Sequence, residues 1–287
     1  MGLLWQAPEH ETRWRIGLAS RGEPDLKLRV FALVVLLTLT GCEKTPTGRD
    51  QLALIPDQVM AEMGARAFAR MKQDQPTVSD TARQAQLECV ARRVLGEVES
   101  VYPGARMPDD REVVIFDNPA PNAFALPGGR IGIHTGMFRV AQGPDQLAAI
   151  IGHEVGHLLA DHGNERLTQK LGLRIALMLI GLFGEVENEQ VLQALGLGAK
   201  LGVTLPFSRA HEREADEMGQ QLMAPAGFRP AESVALWQNM AQAASGQPLE
   251  FLSTHPAHDT RIEHLRERLP GARRRYEEAE PARCPPA

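Results

Sequence analysis

His153-Glu154-Val155-Gly156-His157 is the run on which the reading of this chain turns. Two histidines four residues apart stack on one face of a helix, where both imidazoles reach one metal ion. Glu154 stands beside them, placed to exchange a proton with a water at that ion. Gly143-Pro144-Asp145 opens the helix, with proline at the first helical position and an acid in the first turn. The spacing predicts a helix from Pro144 to about residue 170. On its wheel His153, Glu154 and His157 share one arc, with Leu147, Ile151, Val155 and Leu158 largely opposite. The polar trio therefore faces a cleft and the rest faces core.

This is the HExxH arrangement found in zinc peptidases. Catalytic zinc needs three protein ligands and an open position. The extended pattern HExxHxxGxxH fails, because Ala160 and Gly163 stand where Gly and His are required, and His162 is one position off and points elsewhere. Glu212, within Ser208-Arg209-Ala210-His211-Glu212-Arg213-Glu214-Ala215-Asp216, is the better third ligand. Asp216 lies one turn further on the same face, placed to orient a ligand histidine. Ala149, Gly152, Gly156 and Ala160 form a strip beside the histidines, and Ala215 and Gly219 one beside Glu212. Two such strips let helices approach closely enough to share a metal. His211 is a rival ligand, but it sits about 100° around the helix from Glu212, and Glu214 points nearly opposite. A His/His/Glu set suits Zn2+, one per chain, and leaves other divalent ions open.

Around this centre the pattern predicts an α+β fold, mostly helical. Helical spacing covers Pro56 to Met71 and Thr77 to Ser100, the second with Ser79 or Asp80 as cap and an apolar face of Leu87, Val90, Ala91, Val94 and Val98. Arg111 to Phe116 has strand character, and Asn122 to Leu126, Pro127-Gly128-Gly129 and Arg130 to His134 form a hairpin, together a small β-meander. Further helices are expected over Ser208 to Ala224, Pro230 to Ala244 and Asp259 to Leu269, with a charged, Pro-rich tail from Pro270. Leu171 to Phe183 and Val191 to Leu205 are apolar stretches too short to span a bilayer. They are read as buried helices or a lid, with a surface for membrane or unfolded substrate as the sharper reading.

A length of 287 residues is enough to bury a real core. With 43% hydrophobic and 23% charged residues the composition excludes a disordered chain. A net charge of -5 gives no electrostatic reason to expect a nucleic-acid partner. Residues 26–42 carry Lys27 and Arg29, an apolar run from Val30 to Thr40, and Leu39-Thr40-Gly41-Cys42. That order resembles a bacterial lipoprotein signal, with Cys42 lipidated and mature. Residues 1–25 are expected to be a start-site artefact, 26–41 the signal, 42–50 a lipid-anchored tether and 51–287 the functional domain. Glu43 after the cysteine, by resemblance to sorting rules, implies the periplasmic face of the outer membrane.

Several stretches resemble one family. They are Gly48-Arg49-Asp50-Gln51-Leu52, Asn122-Ala123-Phe124-Ala125-Leu126-Pro127-Gly128-Gly129, the HEVGH run, Ser208-Arg209 with Glu212 and Ala215-Asp216, and Ser253-Thr254-His255-Pro256 with Arg261-Ile262. Together they look like the gluzincin zinc metallopeptidases of the CAAX prenyl protease and HtpX type, nearest to its periplasmic members BepA and LoiP. The resemblance implies a zincin-like domain with His153, His157 and Glu212 as zinc ligands and Glu154 as general base. It implies Asn122, Ala123, Phe124 and Ala125 as an edge strand on which an extended substrate pairs. It also implies His255 as an inhibitory fourth ligand. His255 and Arg261 are the candidates for stabilising the transition state. The expected substrates are unfolded or misassembled envelope proteins. The competing reading is a chaperone-like outer-membrane assembly lipoprotein with a latent or structural zinc site. The long membrane helices and tetratricopeptide extension of some members are missing.

Cys89 and Cys284 remain once Cys42 is lipidated. Cys89 lies opposite the apolar face of its helix, near Ala85 and Gly96. In an oxidising compartment an exposed thiol is a liability, so a Cys89–Cys284 disulfide is expected, with two free thiols as the alternative.

Overall fold

The computed structural model describes residues 42–78, 81–105, 107–108, 110–183, 207–244, 249–256 and 259–286. Residues 1–41, with the expected start-site artefact and signal, the cap candidates Ser79 and Asp80, and the apolar stretch Val191–Leu205 lie outside the described residues. The described chain is mostly helical with two small sheets. No described helix is long and apolar enough to cross a membrane.

At the centre lies α4 (Pro144–Leu159), which carries HEVGH and is buried without interruption from Gln146 to His157. Its polar trio therefore faces an internal cleft rather than one side of an amphipathic surface helix. Around it stand α1 (Asp57–Asp74), α2 (Thr81–Gly96), the short α3 (Val98–Val101), α5 (His162–Phe183), α6 (Arg209–Met223), α7 (Ala231–Ala243), α8 (Glu250–Thr254) and α9 (Asp259–Glu277). The apolar face of α2 meets α4 and the sheet. Leu87, Val90, Val94, Ile115, Ile131, Ile133, Leu147, Ile150 and Ile151 are all buried in one cluster. Burying each such side chain contributes about 1.5–3 kcal/mol, so α4 is held from several sides.

The main sheet departs from a meander. Its strands are β3 (Glu112–Phe116), β4 (Ala123–Leu126) and β5 (Arg130–His134), in the order β3-β5-β4. After β3 the chain crosses to the far edge, forms β4, and returns through the hairpin into the middle. As a result β5 is antiparallel to β4 but parallel to β3. That topology leaves β4 as an edge. The His134 amide donates to the Asn122 carbonyl at 2.9 Å. By the alternation of an antiparallel ladder, Asn122, Phe124 and Leu126 bond inward, while Ala123 and Ala125 direct their backbone groups away from β5. Phe124 lies across from Gly132, and its ring occupies the space a Cβ would need there.

Three further differences from the sequence reading bear on the site. The expected helix to residue 170 is two helices. Asp161 adopts φ 50°, a left-handed conformation that ends α4, and its carboxylate accepts from Asn164 Nδ2 at 2.8 Å in the first turn of α5. Residues 42–50 are not a loose tether. β1 (Cys42–Lys44) pairs antiparallel with β2 (Asp50–Leu52), and Gly48, at φ 90°, makes the turn between them. The helix expected over Asp259–Leu269 continues through Pro270 to Glu277.

Beyond α9 the tail runs back along α2. Arg93 Nη2 donates to the Glu280 carbonyl at 3.0 Å, and the Ala282 amide donates to Gly227 at 2.9 Å. Cys89 and Cys284 are joined by a disulfide that closes a separation of 195 residues. Of the first apolar stretch, Leu171 and Leu173 are exposed at 42% and 41%, so this part of α5 is not core.

Candidate metal centre

The site is made where α4 crosses α6, the most extensive helix–helix contact among the described residues. Small residues allow it. A Cβ on Gly152 would sit 2.8 Å from the Gly219 carbonyl oxygen, and one on Gly156 would sit 2.8 Å from that of Ala215. The two strips expected from the sequence therefore face each other. They bring Glu212, from α6, against His153 and His157, from α4. Ser208 caps α6 by accepting from the His211 amide at 3.2 Å.

Four ligand atoms converge. His157 Nε2 lies 3.1 Å from His153 Nε2, and His153 Nε2 lies 3.2 Å from His255 Nδ1. Glu212 Oε1 is 3.0 Å from His255 Nδ1 and 3.4 Å from His157 Nε2. One donor atom from each of the four residues lies within 4.8 Å of the other three, and all four residues are buried. Three imidazole nitrogens and a carboxylate oxygen aimed at one point suit zinc. The neighbours fix the tautomers that this requires. Asp216 Oδ1 accepts from His153 Nδ1 at 2.9 Å, so His153 Nε2 presents its lone pair to the centre.

Arg261 braces this arrangement from behind. Its Nε and Nη2 donate to the two Asp216 oxygens at 2.6 and 2.7 Å, and Nη1 donates to the Pro256 carbonyl at 3.2 Å. Nη1 also lies 2.5 Å from Glu212 Oε2, off the line of a hydrogen bond, so that contact is an ion pair only. The guanidinium sits 3.5 Å over the Trp237 ring. Through these contacts Arg261 orders Asp216 and Glu212.

Electrostatics follow from burial and these partners. Burial alone would raise the Glu212 carboxyl, but Arg261 and the hydrogen bonds from His157 and His255 hold it well below the usual range. Burial pushes His157 well below an ordinary histidine, which keeps it neutral and able to ligate. Glu154 moves the other way. Burial raises its carboxyl, with His255 and His153 opposing, and its Oε1 has no hydrogen-bond partner. A carboxylate tuned upward, with an oxygen to spare, is suited to accept and return a proton. His255 Nε2 is 3.6 Å from that oxygen. The His255 ring lies between Phe251, 4.5 Å away, and Phe207, 5.3 Å away. A cleft of about 680 Å³ opens beside the centre, lined by His157, Phe207, Ala125, Pro127, Met60 and Tyr102.

Glu154, His153, His157, Glu212, Asp216 and His255 are thus brought together, with Arg261 behind them. Of the edge residues Asn122–Ala125, Ala125 lines the cleft, and its amide hydrogen-bonds the Glu154 carboxylate. Cys42, Cys89 and Cys284 lie on other elements. Sequence reasoning missed His162. Its Nδ1 lies 2.9 Å from His157 Nδ1, because the break at Asp161 turns α5 back toward the site. His211 is not a ligand; its Nε2 meets Glu165 at 3.0 Å.

Comparison with known sequences decides the family. The profile described as Peptidase family M48 matches residues 82–269, most of the chain and all of the site. The chain belongs to peptidase family M48.

Among M48-type relatives, the mitochondrial metalloendopeptidase OMA1 of Schizosaccharomyces pombe is 36% identical over 163 residues, covering 56% of this chain and 47% of that protein. OMA1 of Bos taurus is 30% identical over 302 residues, covering 99% of this chain and 54% of the relative. The beta-barrel assembly-enhancing protease of Yersinia pestis is 28% identical over 222 residues, covering 74% and 44%. The chain spans about half the length of these curated relatives. The M48 membership bears out the gluzincin resemblance at family level, while the OMA1 matches shift its nearer relations away from the CAAX, HtpX and LoiP types. They also correct the localisation. Yeast, plant and animal relatives carry mitochondrial names, which overturns the expected periplasmic face of a bacterial outer membrane.

Proposed function

We propose that this chain is a zinc-dependent endopeptidase that cleaves unfolded polypeptides, held latent by His255. The observation that carries the proposal is the convergence of His153, His157 and Glu212 beside a buried Glu154 with an unpaired oxygen. Zinc bound there would supply Lewis-acid polarisation of a water and of the scissile carbonyl.

The chain's own residues do the rest. An extended substrate adds to the outer side of β4, where the backbone groups of Ala123 and the Ala125 carbonyl pair with it and demand little of its sequence. Glu154 takes a proton from the attacking water and returns it to the leaving amine. Asp216 and Arg261 keep His153 and Glu212 in register throughout. Attachment through a lipid on Cys42 belongs to the same proposal and rests on Leu39-Thr40-Gly41-Cys42.

His255 fills the position a substrate carbonyl would need. A closed four-ligand site also favours a second reading, a chaperone-like protein with structural zinc. The two differ in what removing His255 does. In the full chain His255→Ala is expected to raise the rate of casein cleavage by about tenfold or more, the factor for each 1.4 kcal/mol by which closure is favoured. An unchanged or lower rate, with zinc still bound, would exclude the latent enzyme and leave the structural reading.

A further inference from the structure

The helix break at Asp161 and the N-terminal hairpin meet at a second cluster of titratable groups, behind the four ligands. His162 Nε2 lies 3.0 Å from Glu214 Oε2. Glu214 also accepts from the Thr45 hydroxyl at 2.5 Å, from the Thr47 hydroxyl, and from Arg49 Nε at 2.5 Å. Arg49 Nη2 goes on to Glu165 at 2.8 Å, and Glu165 to His211. His162 and Glu214 are almost completely buried, at 0% and 6% exposure. A buried carboxylate with four donors is an ordered one.

One assignment of protons fits the chain from Glu214 to the metal centre. His157 Nε2 faces the ligand atoms, so it carries the lone pair and His157 Nδ1 carries the hydrogen. Nδ1 then donates to His162 Nδ1, across 2.9 Å. That leaves the His162 hydrogen on Nε2, which donates to Glu214. The carboxylate accepts at one end, and the ligand nitrogen is exposed at the other.

We infer that His162 and Glu214 are positioning residues for the metal ligand His157, and that the Thr45–Arg49 turn completes them. His153 has a direct carboxylate partner in Asp216; His157 has one at a distance, relayed through a second imidazole. The hairpin at the start of the described chain is thereby part of the metal centre, about 165 residues away in sequence from the glutamate it orders. This gives Arg49 a role: its guanidinium ties Glu214 to Glu165, and so ties α6 to α5.

The inference rests on the zinc reading of the site, and its test separates the two. Zinc affinity is measured by chelator competition on the full chain, with the visible spectrum of the cobalt(II) form as a second readout. His162→Phe is expected to weaken zinc binding about 10–100-fold, the usual range for losing a ligand's hydrogen-bond partner, and to alter the cobalt spectrum. His162→Gln, whose amide accepts from His157 and donates to Glu214, is expected to restore most of both. Thr47→Val, at an exposed position, removes one donor from Glu214 without threatening the fold and is expected to weaken binding by a few-fold. Parental zinc affinity and cobalt spectrum in His162→Phe, or a loss that His162→Gln does not restore, would overturn the inference. If His162→Phe fails to fold, unchanged affinity in Thr47→Val overturns it instead. Failure of the parent chain to bind zinc would overturn the reading of the metal centre itself.

Discussion

Glu154→Gln is expected to abolish peptide cleavage while zinc stays bound. The substitution keeps the shape of the side chain and removes only its ability to take a proton. Glu154 is not among the four converging ligands, so zinc content should match that of the parent. A positioned general base contributes about 10²–10⁴-fold, and the loss should fall in that range or exceed it. The comparison is best made in a His255→Ala background, where latency does not mask the difference. Casein cleavage at equal zinc content checks it. Equal rates in the two proteins would remove Glu154 from the chemistry.

The second large effect comes from a residue that touches no substrate. Gly219→Ala is expected to lower the melting temperature and to cost zinc affinity together. A Cβ on Gly219 would sit 2.6 Å from the His153 amide nitrogen and 2.7 Å from the Gly152 carbonyl carbon. Both are backbone atoms within a buried helix, so neither can swing aside. α4 and α6 must part, and Glu212 lies on α6 two turns before Gly219. Overpacking of this kind costs about 1–3 kcal/mol, or roughly 2–12 °C in a chain of this size. Zinc affinity should fall at least tenfold, about 1.4 kcal/mol, because the ligands on the two helices no longer meet. Gly172→Ala is the control. Nothing lies within 4 Å of a Cβ there, and alanine favours the helix. Thermal unfolding and chelator competition on the two variants check the contrast. Equal behaviour of the two would mean that the small-residue contact does not set the site.

These positions were legible in the sequence because they obey local rules. HEVGH and the Glu212/Asp216 pair follow helix spacing, and the strips at Gly152/Gly156 and Ala215/Gly219 mark which faces approach. His162 was not legible. On a continuous helix it points away from His157; only the left-handed turn at Asp161 brings it back, and aspartate at that position does not announce such a turn. The partners of Glu214 were hidden for another reason. Thr45, Thr47 and Arg49 reach it across more than 160 residues, and no periodic pattern encodes a contact of that range. The parallel pairing of β3 and β5 is likewise a matter of chain path rather than strand composition. Arg261 shows a further limit. The sequence marks a cation near the site, but which of its donors remain free depends on how Asp216, Glu212 and Pro256 surround it. The reading of location failed because it leaned on a short leader motif, against relatives whose similarity covers as much as 99% of the chain.

The most direct test of the metal centre as a peptidase site is metal removal and return in the His255→Ala full chain. A chelator should abolish casein cleavage, and zinc titrated back should restore it linearly, with the break at one equivalent per chain. Cleavage that persists in metal-free protein, or zinc taken up at one equivalent without any cleavage, would contradict the account.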